Sequence, residues 1–133
     1  MLDVEVIGLE LAGEGLATGE AEQLCALALG SAGIEDGHVA VELVGEQRMR
    51  ELNREHRGRD AATDVLSFPI DGAAQAAPAG ARELGDIVIC SPLAADVREA
   101  VVHGALHLTG MDHETDDGEM LALQAELVAW IER

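Results

Sequence analysis

The chain has 133 residues, 48% apolar and 26% charged, which is enough for one packed core and excludes a disordered chain. Eight Arg, no Lys and 26 Asp plus Glu leave a net charge of −18, so the surface as a whole repels nucleic acid and anionic membranes. No apolar run approaches the ~18–20 residues that span a bilayer, the opening MLDVEVIGLE is no signal peptide, and two cysteines make no disulfide framework. The expectation is a soluble cytosolic protein folded as one domain over residues 1–133.

Along the chain, Leu2, Val4 and Val6 alternate with Asp3 and Glu5, which predicts a half-buried strand over residues 2–7. Ala21, Leu24, Cys25, Leu27 and Ala28 follow a helical spacing over residues 19–31, with Thr18 as candidate cap and Gly30 and Gly33 near the end. A second strand alternates through Val39, Val41 and Leu43. Residues 45–56 form a polar helix with Met49 and Leu52 inward, Arg outward, and Gly58 at the C-terminal glycine position. Residues 63–70, TDVLSFPI, read as a strand closed by Pro69. The Ala, Gly and Pro-rich stretch 71–82 reads as a flexible loop, and residues 84–90, LGDIVIC, as a strand that returns across it. Pro92 suits the first turn of a helix that runs to about Thr109 and stops at Gly110. A last helix over residues 116–131 carries Met120, Leu123, Leu127 and Ile131 in one stripe. The order β-α-β-α-β-β-α-α predicts an α+β domain, a four-stranded mixed sheet with helices packed on it.

Charge is unevenly placed. Arg48, Arg50, Arg54, Arg57 and Arg59 share a twelve-residue window of net +3, leaving −21 on the rest. A lone basic segment on an acidic body is a candidate anion site, set against the plainer reading of a solvated helix face.

The segment that carries chemistry is HGALHLTGMDH, residues 103–113. His103 and His107 are four apart on a predicted helix, so both imidazoles leave one face, about 5–6 Å apart at Cβ. Gly110 lets the chain reverse, and His113 supplies a third nitrogen. Three imidazoles leave one position of a tetrahedral zinc open, which places the metal site at a helix end and marks it as catalytic. The spacing is that of the metzincins, but Gly104 stands where their general-base Glu would be. A structural zinc would need a fourth ligand from Cys90, Asp112 or Glu114. His38 and His56 are isolated, and His56 reads as a surface residue.

HGALHLTGMDH resembles the H-G-x-L-H-L-x-G-x-D-H signature of the YbeY-type endoribonuclease family. LNREHRGRDAATDVLSFP resembles that family's L-N-x-x-x-R-x-x-D-x-x-T-D-V-L-S-F-P segment, and LGDIVIC its next strand, in the same order. The resemblance implies a zinc-dependent, single-strand-specific endoribonuclease with one zinc per chain on His103, His107 and His113, and Arg57 as the functional arginine near it. It implies action on ribosomal RNA, at the 16S 3′ end, in maturation and quality control, with the ribosomal small subunit as partner and no DNA or membrane. The chain departs from the family pattern at Met111, where Tyr is usual, and at Ala62, where Pro is usual. It also has only twelve residues between Cys90 and His103, where the family carries a longer segment with two helical pieces.

Zinc activates water and polarises a phosphoryl oxygen, and a guanidinium suits the charge that develops on the non-bridging oxygens. Without the Glu, the base stays open between zinc hydroxide, the RNA 2′-hydroxyl, and Asp112 or Glu114. Asp112, Glu114, Asp116, Asp117 and Glu119 crowd the motif and repel RNA, so the Arg segment must lie on the same side of the domain. Two other readings compete: a metal-dependent hydrolase of another substrate, and a non-enzymatic ribosome-assembly factor with a structural zinc.

Overall fold

The computed structural model describes residues 2–70 and 82–131. The expected loop falls almost wholly on residues 71–81 and lies outside them. Four strands, β1 (Leu2–Ile7), β2 (Gly37–Val44), β3 (Val65–Pro69) and β4 (Glu83–Cys90), form one sheet in the order β1-β2-β4-β3. β1, β2 and β4 run parallel, and β3 pairs antiparallel with β4, from Val65 opposite Ile89 to Pro69 opposite Gly85. The helices are α1 (Glu20–Gly30), α2 (Glu46–Arg57), α3 (Val97–Leu108) and α4 (Glu119–Ile131). This is the mixed α+β architecture expected, with one added element, a 3₁₀ turn over Leu9–Ala12.

The two faces of the sheet are covered unequally. Side chains alternate between faces with a period of two, so Leu43 and Val44 of β2 enter different cores, as do Ile89 and Cys90 of β4. On one face α1, α3 and α4 bury Leu24, Leu29, Val101, Leu106, Leu108 and Met120 against Val39, Val41, Ile87 and Ile89. On the other face α2 lies alone, and Met49 and Leu52 pack on Leu66, Val88 and Cys90. β3 is an edge strand of five residues. Around that short edge the end of α2 on one face meets the end of α3 on the other.

Three expected helix starts move. α1 is preceded by Gly19 in the left-handed region (φ 83°), not capped by Thr18, and the Glu20 carboxylate accepts from the Ala17 N–H at 2.9 Å. α3 begins at Val97, because the Asp96 carboxylate accepts from the N–H groups of Arg98 and Glu99. Pro92 sits earlier, in a turn where Leu93 and Ala94 donate to the Cys90 carbonyl. α4 starts at Glu119, since Asp116 accepts from Gly118 and Met120 at 2.8 and 3.0 Å and holds the preceding turn. At α3 and α4 a short Asp carboxylate takes the N–H groups that start the helix, while α1 has no side-chain cap.

α3 approaches the sheet closely at Gly104. A Cβ there would lie 2.4 Å from Ile87 Cγ2 and 3.2 Å from Ser67 Oγ. Ser67 in turn donates to the Gly104 carbonyl at 3.0 Å, tying α3 to the edge strand. Gly104→Ala is expected to destabilise the fold by about 1–3 kcal/mol, the cost of overpacking a filled core. In a double-mutant cycle by urea denaturation, the Gly104→Ala/Ile87→Ala protein should lose less than the sum of its single variants.

Candidate metal centre

α3 delivers two of the three histidines. His103 and His107 leave the last turns of the helix, and their rings lie 4.8 Å apart, edge to face. Gly110 (φ 101°) reverses the chain after the helix, a backbone that L side chains rarely adopt. The Asp112 carboxylate then accepts the Glu114 N–H at 3.0 Å, and its carbonyl accepts from Thr115 and Asp116. This turn folds His113 back, with its ring 5.1 Å from His103 and 5.3 Å from His107.

One nitrogen of each ring lies within 4.8 Å of the others. The remaining nitrogens are held in two of the three. His107 Nδ1 is 2.9 Å from the Met111 carbonyl, which only accepts, so Nδ1 carries the hydrogen and Nε2 keeps its lone pair. His103 Nδ1 is 2.6 Å from Gln124 Oε1 of α4. Nitrogen ligands whose far N–H is fixed by an oxygen are the usual surroundings of a metal-binding histidine. The C-terminal end of α3 also carries the negative end of the helix dipole, which favours a cation. The donor set therefore fits a divalent ion of borderline softness, with His103, His107 and His113 as its holders.

Among the described residues the cluster stops at these three. Cys90 packs under α2 in the core beyond the sheet, and burial pushes its thiol up. Asp112 and Glu114 border the same cavity, but the Asp112 carboxylate is occupied by its own turn. The Glu of a metzincin has no room, because the position it would take faces Ile87. Among the described residues no fourth His, Cys, Asp or Glu joins the cluster, and position 104 supplies no base.

The histidines open into a cavity of about 720 Å³ that spans the edge strand. Its opposite wall carries Arg57 and Arg59, from the last turn of α2 and the loop beyond it. The basic segment divides in function here. Arg50 holds Asp60 through two bonds of 2.7 and 2.9 Å, and Arg54 approaches the same carboxylate at 3.6 Å. Those bonds keep the Asp60 carboxyl below the usual carboxylate range. From inside, the buried Asn53 donates to the Ala61 carbonyl at 2.8 Å. With Gly58 in the left-handed region (φ 71°), these contacts fold the 58–61 loop against α2 and bring Arg57 and Arg59 to the cavity. Arg48 pairs with Glu51 on the exposed face, so for this residue the plainer expectation of a solvated helix holds. His56 is exposed, with its ring 4.9 Å from Phe68.

Sequence reasoning missed Gln124, Asn53 and Asp60. Gln124 carries a legible signal, a lone amide inside the stripe of Met120, Leu123, Leu127 and Ile131. The Asp60 brace has none, because a contact ten residues apart depends on the course of the loop.

The chain is similar to known proteins. The family described as Endoribonuclease YbeY matches residues 16–132. Endoribonuclease YbeY of Acinetobacter baylyi is 40% identical over 110 residues, covering 71% of this chain and 69% of that protein. The Rubrobacter xylanophilus protein of the same name is 43% identical over 114 residues, covering 83% and 80%. The solution structure of TM1509 from Thermotoga maritima superposes with a TM-score of 0.53 at 30% identity, covering 94% of this chain and 86% of that one.

Burial first, then the neighbouring His103, holds His107 below the ordinary histidine range, against the pull of the Met111 carbonyl. A group with a depressed folded-state pKa binds fewer protons folded than unfolded. In the metal-free protein its contribution is therefore present above the unfolded value of ~6.5 and lost as pH falls through the lower folded value. Urea denaturation at stepped pH should show this loss in the metal-free wild type and a shallower one in His107→Gln.

Proposed function

The chain belongs to the YbeY endoribonuclease family, and on that premise we propose that it is a zinc-dependent enzyme that cleaves single-stranded RNA and matures ribosomal RNA at the 16S 3′ end. RNA cleavage, a hydrolase activity, follows from the family. The observation that carries the finer reading is one cavity walled by three convergent histidines on one side and by Arg57 and Arg59 on the other.

His103, His107 and His113 would hold the zinc, which when bound would supply Lewis acidity toward a phosphoryl oxygen and a lowered pKa for water. The chain does the rest. Arg57 offers a planar fork of N–H donors to the non-bridging oxygens of the scissile phosphate, where negative charge accumulates. The Asp60 and Asn53 contacts hold the loop after Arg57 before substrate arrives, so less ordering is left to the moment of reaction. Asp112 shapes the turn that returns His113, and the carboxylates of Asp112 and Glu114 line the cavity, where either can take a proton. Unpaired RNA, whose nucleotides splay into cavities of this kind, fits a cleft at a sheet edge.

The charge distribution bears on partners. With −18 overall and two Arg at the cavity, contacts to few phosphates give modest, salt-sensitive binding, log K falling by ~0.7 per contacted phosphate for each tenfold rise in salt. The small ribosomal subunit supplies the missing specificity by presenting its RNA end. No described helix is long and apolar enough to cross a membrane. A cytoplasmic site of action, with no DNA or membrane partner and residues 1–133 acting as one domain, completes the proposal.

Arg57→Ala should lower cleavage of single-stranded RNA by ~10²–10³, the range for loss of one transition-state donor. Its zinc content and thermal midpoint should stay near wild type, since an exposed surface change shifts stability by about 0.5 kcal/mol or less. His107→Ala should lose both metal and activity. Elemental analysis beside a gel-based cleavage assay reads all of these, and Arg57→Ala cleaving at the wild-type rate would overturn the assignment.

A further inference from the structure

Behind His103 runs a chain of polar contacts that neither the cleavage chemistry nor the ligand set uses. Gln124 Oε1 lies 2.6 Å from His103 Nδ1, and Gln124 Nε2 donates to Glu99 Oε1 at 3.1 Å. Glu99 belongs to α3, one helical turn before His103, and Gln124 to α4, so the chain leaves one helix and returns to it through the other.

The direction of each bond follows from what each group can do. A carboxylate accepts, so the amide nitrogen faces Glu99 and the amide oxygen faces His103. That oxygen also accepts, so His103 Nδ1 carries the hydrogen and its Nε2 keeps the lone pair. Reversal of the amide would set its oxygen against the Glu99 carboxylate. Glu99 therefore selects the orientation of Gln124, and Gln124 selects the tautomer of His103. His107 needs no such device, because the Met111 carbonyl cannot be turned round.

Gln124 also lies on the face by which α4 packs, with Met120 and Leu127 buried around it and Leu123 and Ile131 partly so. A polar amide there costs packing energy that an apolar residue of its size would recover. The residue is accounted for by the bond it makes.

Resting on the reading of the three histidines as a metal centre, we propose that Gln124, oriented by Glu99, is a positioning residue that sets the metal affinity of the site by holding His103 in its ligating tautomer. α4 is then the outer wall of the metal centre and not a mere cover for the core.

The test is zinc affinity of the purified, metal-stripped full chain, read by competition with a chromophoric chelator, beside the thermal midpoint of each metal-free protein. Gln124→Met keeps the side-chain volume and completes the apolar stripe. It should bind zinc about 10–100-fold more weakly, the usual cost of a lost partner behind a metal ligand, with a midpoint equal to or above wild type. A purely structural Gln124 would give the reverse, a lower midpoint with unchanged affinity. The exchange Glu99→Gln/Gln124→Glu keeps an acceptor on His103 and a donor behind it, and should recover most of the lost affinity. Unchanged affinity in Gln124→Met, or an exchange variant as weak as Gln124→Met, overturns this inference alone. A wild type that takes up no zinc overturns the metal centre and this inference together.

Discussion

The close approach of α3 to the sheet at Gly104 sets the geometry on which the rest of the site depends. With no side chain at that position, the helix lies against Ile87, and its carbonyl receives the Ser67 hydroxyl from the edge strand. An α-helix has only one rotation compatible with such a contact, and that rotation fixes where residues 103 and 107 point. Both leave the side of the helix that overhangs β3, where the sheet ends and a cavity can form. The same glycine that separates this motif from the metzincin pattern is thus a packing requirement. A Glu side chain at that place would meet Ile87.

The edge strand has a second consequence. α2 and α3 cover opposite faces of the sheet, and helices so placed do not ordinarily meet. β3 is short enough for the loop after α2 to turn around it. The Arg50–Asp60 bonds and the Asn53–Ala61 bond shape that turn. Much of the positive charge in the basic segment is thereby spent on structure, and the cavity receives Arg57 and Arg59. On a body of net charge −18, Arg57 and Arg59 bring two positive charges to a cavity whose lining also carries Asp64, Asp112 and Glu114.

The histidines are supported unequally. His107 rests on a backbone carbonyl of the turn that the motif itself makes, so its support is local and tolerant of the side chain at position 111, where Met stands for the usual Tyr. His103 depends on a side chain from another helix. Local support survives sequence change because any residue carries a carbonyl, whereas remote support requires a particular side chain and the docking of the element that bears it.

That difference separates what the sequence determined from what the tertiary structure decided. The first two strands show in their period-two alternation, 84–90 in its apolar, β-branched run, three of the helices in their stripes, and His103, His107 and His113 in a spacing that one helical turn and one glycine bring together. These are short-range relations, governed by backbone geometry over a few residues, and they read directly from the order of residues. α3 starts five residues beyond Pro92, since the Asp96 carboxylate caps it and Pro92 falls in the turn that follows the strand. The brace of Arg50 on Asp60, the contact of Gln124 with His103 and the exclusion of a side chain at Gly104 were decided only on folding. Each joins groups whose distance is set by how helices dock on a sheet. Docking is fixed by the packing of the whole core, which no local window of the sequence contains.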